Sequence, residues 1–405
     1  MSHSDTQGGS NVLYKALMVA ASPFPYPQGS QVLIGQLAAA LHRRGHRVRL
    51  AAYPGGFGQS PQGIKIHRVP LVPGLRLTQA GPSWQKPFLD LLLTRVLLHV
   101  EWCWQPDLIH THNFEGLLAA LHVRRLTGVP VIHHVHNAMG LELHTYFRTR
   151  LGRWIGRTVG RWVDAHLPRR ADYCIVLNER AVDYFRQRGV DRLRVVPPGI
   201  DFEPVPTSRA RPSLGGGPLV VYSGNLDRYQ DLDLLLEAFR QLLAFRPDAR
   251  LVFSTSAKPD EYRIRAEAMG LADQTLFIPA DDFGAVQELL AAADLTVCPR
   301  QTCLGHPIKL LNYMVEGKAI VASAGSACGL RHLENGWVVD NGDVMGMATA
   351  MRTLLEDPAL ARRLGESARA TVQHEYTWDN AVDSIEEIYS QVGRVGSSSH
   401  KRREH

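Results

Sequence analysis

No stretch of this sequence reaches the ~18 consecutive apolar residues that a bilayer-crossing helix needs. The longest apolar run, Phe88 to Trp104, is broken by Asp90, Arg95, His99 and Glu101. Cysteine is scarce. The five residues Cys103, Cys174, Cys298, Cys303 and Cys328 are odd in number, and their spacings match neither a zinc motif nor a disulfide framework. A reducing cytosol is therefore the expected compartment. Neither GxGxxG nor a GxxxxGK box occurs, which removes support for dinucleotide oxidoreductase and P-loop readings. No aromatic platform is interleaved with basic residues, so nucleic acid is not an expected partner. The start of the chain lacks a basic segment followed by an apolar one, so no secretory leader is expected and residues 1–11 read as a polar lead-in. The last residues, 394–405, read as a second disordered tail.

What is present is ordinary globular material: 45% hydrophobic and 21% charged residues over 405 positions, enough for two domains. The net charge of +6 fits a polyanionic partner, whether a nucleotide, an anionic membrane or a nucleic acid, and does not by itself choose among them. Short β-rich runs alternate with helical periods along the whole chain. Candidate strands are 16–21, 48–52, 64–69, 107–110, 131–136, 173–177 and 193–196, then 219–223, 250–254, 275–278, 295–298 and 319–322. Such alternation implies parallel sheets covered by helices on both faces. The pattern pauses at Pro197-Pro198-Gly199, Pro204, Pro206, Pro212 and Gly215-Gly216-Gly217. The expected fold class is α/β, with two doubly wound Rossmann-like domains facing across a cleft. Residues 12–198 form the first, 199–217 a linker, 218–376 the second, and 377–393 a final helix.

Four stretches then resemble family 4 of the retaining glycosyltransferases, which have the GT-B fold. Gln28-Gly29-Ser30-Gln31, leading to Arg44-Gly45-His46-Arg47-Val48, is similar to that family's first loop and helix. Val196-Pro197-Pro198-Gly199-Ile200-Asp201 resembles its interdomain signature. Tyr222-Ser223-Gly224-Asn225-Leu226, followed by Leu232 to Ala238, resembles its first C-domain strand, loop and helix. Gly305-His306-Pro307-Ile308-Lys309-Leu310-Leu311-Asn312 resembles its donor-binding helix, and Trp378 opens a helix like the one that returns to the first domain. The resemblance implies transfer of a sugar from a nucleotide-diphosphate sugar, UDP-linked by default, to a saccharide or lipid-linked acceptor hydroxyl. It implies an acceptor side in residues 12–198, a donor side in 218–376 and no cofactor. Two other readings stay open: a sugar-nucleotide epimerase, or a non-catalytic GT-B-like binding subunit. The latter is suggested by departures from the family pattern. Where the family carries Arg and Lys after the first C-domain strand, this chain has Asn225 and Gln230. Where it carries two glutamates around the donor helix, this chain has Leu304 and Asn312.

Gly29 sits in a strand-to-helix turn, where a glycine lets backbone approach a phosphate at a helix N-terminus. His136 ends an expected strand, and a side chain at that end of a parallel strand faces the ligand crevice. By resemblance it lies beside the donor sugar. The neighbourhood is rich in histidine, with His110, His112, His133, His134 and His144. A zinc site is the rival reading of these imidazoles, but no cysteine or carboxylate completes a set, so no metal is expected. Lys309, Arg228 and Arg300, in that order, are the cations within reach of a donor diphosphate. By resemblance Gly305 and Asn312 belong to the donor-binding helix stretch and Asn225 to the loop after the first C-domain strand. Glu316 shares a helix face with Asn312 and is either a ribose-binding carboxylate or a solvated one. Finally, the expected helix 150–166 carries Leu151, Trp154, Ile155, Val159, Trp162 and Val163 on one face and Arg150, Arg153, Arg157 and Arg161 on another. It reads either as an anchor on an anionic membrane surface or as a helix whose apolar face lies in the core.

Overall fold

The computed structural model describes residues 12–26, 29–73, 83, 85–201, 216–280 and 283–394. The lead-in 1–11, the tail beyond Arg394, Gln28 and residues 202–215 of the expected linker lie outside the described residues. Contacts divide the chain into two units, Met1–Val196 with Trp378–His405, and Pro197–Thr377.

The first unit holds strands β1 (Lys15–Pro23), β2 (Arg47–Tyr53), β3 (Lys65–Arg68), β4 (Leu108–His112), β5 (Val131–Val135), β6 (Tyr173–Val176) and β7 (Leu193–Val195). Helices α1 (Gly29–Arg43), α2 (Lys86–Trp104), α3 (Phe114–Thr127), α4 (Met139–Glu142), α5 (Arg150–His166) and α6 (Glu179–Arg186) are interleaved with them. The sheet is parallel in the order β3-β2-β1-β4-β5-β6-β7. The order reverses between β1 and β4, the position where such sheets open a ligand crevice. The apolar run that begins at Phe88 is helix α2. Leu89, Leu93, Leu97, Val100 and Trp104 recur every three or four residues and are buried, so its charges fall mostly on other faces. Strand β4 runs two residues further than the pattern predicted, and β5 stops one residue earlier. Their ladder ends at His112 opposite His134, so His136 has no strand partner and begins the loop after β5.

The second unit holds β8 (Leu219–Ser223), β9 (Arg250–Thr255), β10 (Thr275–Pro279), β11 (Leu295–Cys298), β12 (Ala319–Ser323) and β13 (Trp337–Val339), with α7 (Leu232–Leu243), α8 (Asp260–Ala268), α9 (Phe283–Ala292), α10 (Ile308–Val315), α11 (Val344–Glu356) and α12 (Pro358–Glu375). Its sheet, also parallel, is ordered β10-β9-β8-β11-β12-β13, with the reversal between β8 and β11. Strands β8, β11 and β12 are buried along their whole length, which is why they read as mostly apolar runs, with only Ser223, Thr296 and Ser323 polar, rather than as alternating ones. Strand β13, only three residues long, offered no such run.

The last helix, α13 (Trp378–Val392), belongs to the first unit. It buries Ala381, Val382, Ile385, Ile388 and Tyr389. Arg44 meets Asp383 at 2.7 Å and His46 Nε2 meets Glu386 at 2.9 Å, which ties the helix to the end of α1.

Candidate active site

In the first unit, the carboxyl ends of β1, β4 and β5 open into a cavity of about 610 Å³. Ser22, Asn113 and His136 come from the strand ends, and Ser30 from the first turn of α1. Gly29 is the first residue of that helix and is exposed, one position from the cavity wall. The far wall is Met139 and Glu142 of α4 with Leu143 and Tyr146 of the turn that follows. Apolar side chains with a few convergent polar groups make a surface suited to an organic ligand.

His136 is held by its neighbours. Its Nε2 lies 2.9 Å from His112 Nδ1, so Nδ1 is the ring nitrogen not engaged in that contact. Behind this pair, His110 Nε2 approaches His134 Nδ1 at 3.3 Å, and His110 Nδ1 meets the Tyr389 hydroxyl at 2.8 Å. His133 Nδ1 contacts Thr111 Oγ1 on the other sheet face. Burial holds all five imidazoles neutral. It pushes His136 down to about 4, His110 and His133 to about 3, and His112 and His134 well below the usual imidazole range. Two nitrogens, His112 Nε2 and His134 Nε2, are buried without a hydrogen-bond partner. His110, His112 and His134 each bring one nitrogen within 4.8 Å of the others, and among the described residues no carboxylate or thiol joins them.

Five charged residues of this cavity, Lys86, Asp90, Glu115, Glu142 and Asp164, were not singled out by sequence reasoning. Asp90 of α2 accepts a short hydrogen bond from the buried Tyr53 hydroxyl, and burial raises its carboxyl to about 6. Lys86 and Glu115 form a 2.5 Å ion pair. In the sequence Asp90 is legible only as a charge interrupting an apolar helix. Asn113 is also unusual. Its backbone sits at φ 67°, ψ 156°, a region almost reserved for glycine.

In the second unit the loops after β8 and β11 meet the start of α10. Lys309 lies in the first turn of α10. Its ammonium is 2.6 Å from the Tyr222 hydroxyl, 2.9 Å from Gln230 Oε1, and stacked 3.9 Å over the Tyr222 ring. Gln230 donates to Asn225 Oδ1 at 2.7 Å, and Asn225 donates to the Tyr229 hydroxyl at 2.6 Å. The Arg300 guanidinium covers the Tyr229 ring at 4.6 Å. Lys309, Gln230, Asn225 and Arg300 therefore form one network. Among the described residues Lys309 makes no ion pair. Burial, its largest influence, lowers its ammonium to about 8. Arg228 is exposed and stands outside the network. Gly305 turns its carbonyl toward the thiols of Cys303 and Cys328. Asn312 follows Lys309 by three positions along α10, and its carbonyl accepts from the Glu316 N–H at 3.1 Å. Glu316 caps the opposite end of that helix, half-buried, with its carboxyl raised by burial.

Comparison with known proteins agrees with this architecture. Residues 28–199 match the Glycosyl transferase 4-like domain and residues 206–371 match Glycosyl transferases group 1. The chain is 27% identical to a D-inositol 3-phosphate glycosyltransferase of Acidothermus cellulolyticus, over 92% of this chain and 89% of the relative. It is 26% identical to an alpha-D-kanosaminyltransferase of Streptomyces kanamyceticus, over 70% of this chain and 77% of the relative. Among solved structures, sucrose-phosphate synthase of Thermosynechococcus elongatus superposes with a TM-score of 0.77 at 20% identity, covering 93% of this chain and 98% of that one. Anabaena HepE in complex with UDP-glucose superposes at 0.72 and 16% identity, covering 93% and 100%. With two parallel α/β units, each carrying its polar residues where the strand order reverses, this chain is an enzyme of glycosyltransferase family 4 with the GT-B fold.

Proposed function

We propose that the enzyme transfers a sugar, with retention, from a nucleotide-diphosphate sugar to a hydroxyl of an acceptor held in the first unit's cavity. The observation that carries this reading is Lys309. A cation is set at the carboxyl end of β8 among neutral partners, beside the backbone N–H groups that open α10. Ammonium and helix N-terminus together suit a diphosphate. In the reaction the bond from the anomeric carbon to the diphosphate oxygen breaks, and the acceptor oxygen bonds to that carbon on the same face. The acceptor proton passes to the leaving phosphate oxygen. Lys309 stabilises the charge that develops there. His136, neutral at physiological pH, donates to or accepts from a sugar hydroxyl through Nδ1. Asp90 accepts from the acceptor. No step calls on a metal, so turnover should survive dialysis against a chelator. A UDP-sugar is the first donor to try, and Anabaena HepE has been crystallised with one.

The test is a thermal-shift panel of UDP-, GDP- and ADP-sugars, followed by product analysis with the best donor. A donor at 100 times its dissociation constant stabilises by about 2.7 kcal/mol. A saccharide linked to acceptor supports transfer. Conversion of the donor to its epimer alone would replace transfer by epimerisation, and no donor response at all would overturn the reading.

A further inference from the structure

Helix α5 buries the wrong face for a core helix. Leu151 is 66% exposed, Trp154 64% and Trp162 54%, with Ile155 and Val159 also outward. The face it turns inward is made of Gly156 and Gly160, with Val163 and Asp164. Glycine is what this packing requires. A Cβ on Gly160 would run into the Met139 carbonyl, and one on Gly156 would lie 3.0 Å from His144 Cα and the Phe147 ring. Asp164 completes the joint. Its two oxygens accept from the Met139 and Gly140 N–H groups at 2.9 and 2.8 Å and from the Tyr184 hydroxyl at 2.7 Å. The helix is thus fastened through small residues and one carboxylate to α4, and its large apolar residues are left outside.

The charges on this helix are one-sided. Arg150, Arg153, Arg157 and Arg161 line the flank between the apolar and the packed faces, and Arg148 precedes them. Among the described residues none of the five guanidiniums meets a carboxylate. The only acid in the helix, Asp164, is buried. Indole and aliphatic side chains bordered by arginines alone match the interface of an anionic bilayer, where Trp sits at headgroup depth and Arg pairs with lipid phosphate.

We propose that α5 docks this enzyme on anionic membrane, lying in the plane of the interface, and that the acceptor reaches the first unit's cavity from that membrane. The second half of the proposal rests on the sugar-transfer reading above. Its structural basis is adjacency. Met139, Glu142, Leu143 and Tyr146, which wall the cavity, belong to the α4 segment that the Gly156–Gly160 stripe and Asp164 hold against α5. An acceptor whose hydroxyl is carried on a lipid would enter beside the docked helix.

The experiment is co-flotation of the full chain with vesicles of phosphatidylcholine alone or with about a third phosphatidylglycerol, at low and at high salt. Binding is expected only with the anionic lipid. It should fall at least tenfold in 0.5 M salt, in the triple variant Arg153→Glu, Arg157→Glu, Arg161→Glu, and in Trp154→Ser, Trp162→Ser. A thermal shift with the best nucleotide sugar, read in parallel, should be unchanged in both variants, which shows that they fold. No binding to anionic vesicles at low salt, equal binding to neutral ones, or a dimer in solution that the Trp variant abolishes would overturn the docking. Transfer to a soluble acceptor that persists when vesicle binding fails would leave the sugar-transfer reading standing. Vesicle binding without any donor response would do the reverse.

Discussion

The ammonium of Lys309 stands 2.9 Å from the side-chain oxygen of Gln230. By the resemblance, Gln230 occupies the position where the family pattern has a lysine, so the ammonium carried by α10 stands where the loop supplies no charge. If that charge holds the donor diphosphate, Lys309→Ala should weaken donor binding by about 10- to 100-fold, the value of a hydrogen bond to a charged group at about 1.5–3 kcal/mol. Restoring the charge from the loop, with Gln230→Lys in the same chain, should recover much of the loss. The ammonium is lowered to about 8, so it is charged below that pH and neutral above it. Donor affinity should decline as pH rises through 8 in the native enzyme. In Lys309→Arg that inflection should vanish, because guanidinium stays charged. Calorimetric titration with the nucleoside diphosphate reads all three. Native affinity in Lys309→Ala would return the donor site to Arg228 or Arg300.

His136 presents a neutral ring whose Nε2 is taken by His112. His136→Ala should lower turnover at least tenfold with the fold intact, since removing one positioned donor costs about 2.7–4 kcal/mol of barrier in comparable sites. His112→Phe removes the partner but not the ring that faces substrate, so it should reduce turnover less and leave donor affinity unchanged. Because His136 ionises only near 4, turnover should show no His inflection between pH 6 and 7.5. A wild-type rate in His136→Ala would take this residue out of the site.

The sequence made most strands legible because buried parallel strands are rich in apolar residues, as in β8 and β12. Strands β4 and β5 are equally buried but carry Thr111 and four histidines, and their ends fell one or two residues from where the pattern put them. The sequence marked His136 and Lys309 because both stand next to strand or helix ends. It could not show that Lys309 reaches Gln230, a contact between residues 79 positions apart. Nor could it show that Asp90 meets Tyr53, because one carboxylate in an apolar helix carries no trace of what it faces. The helix 150–166 had two readings for a similar reason. Its pattern is amphipathic either way, and only the packing of Gly156 and Gly160 decides which face is left out.

Asn113 holds a backbone conformation that costs a non-glycine residue about 1–3 kcal/mol. It sits at the end of β4, in the cavity wall. Replacing it with glycine should relieve the strain. Asn113→Gly is expected to be neutral or up to about 1 kcal/mol more stable, after the entropy glycine adds to the unfolded chain. Asn113→Val should be clearly destabilised. If the strain is kept so that the amide can face substrate, Asn113→Gly will also turn over more slowly despite its stability. Urea melts and initial rates on the same preparations separate these effects. A glycine variant less stable than wild type by 1 kcal/mol or more would mean that the side chain contributes more than the backbone costs.

The buried imidazoles set how the first unit responds to acid. His110, His112, His133, His134 and His136 all have folded values below the 6.5 of an exposed ring, with burial the first cause in each. Between about pH 6.5 and 4 the unfolded chain therefore binds protons that the folded chain refuses. Stability from these groups is complete above 6.5 and is lost as pH falls, by about 1.4 kcal/mol per pH unit for each extra proton. Asp90, Asp164 and Glu101 act in the opposite sense. Burial raises their carboxyls, so the fold holds protons there that the unfolded chain has released, and they offset part of the loss. With His67 and His144 of the same unit also lowered, seven imidazoles against three carboxyls leave a net loss toward acid. Unfolding free energy measured in urea should fall steeply from pH 7 to pH 5. The slope should lessen by about one proton in His133→Gln, which keeps a polar group near Thr111. A profile flat over that range would show that the five rings are solvated enough to titrate in place.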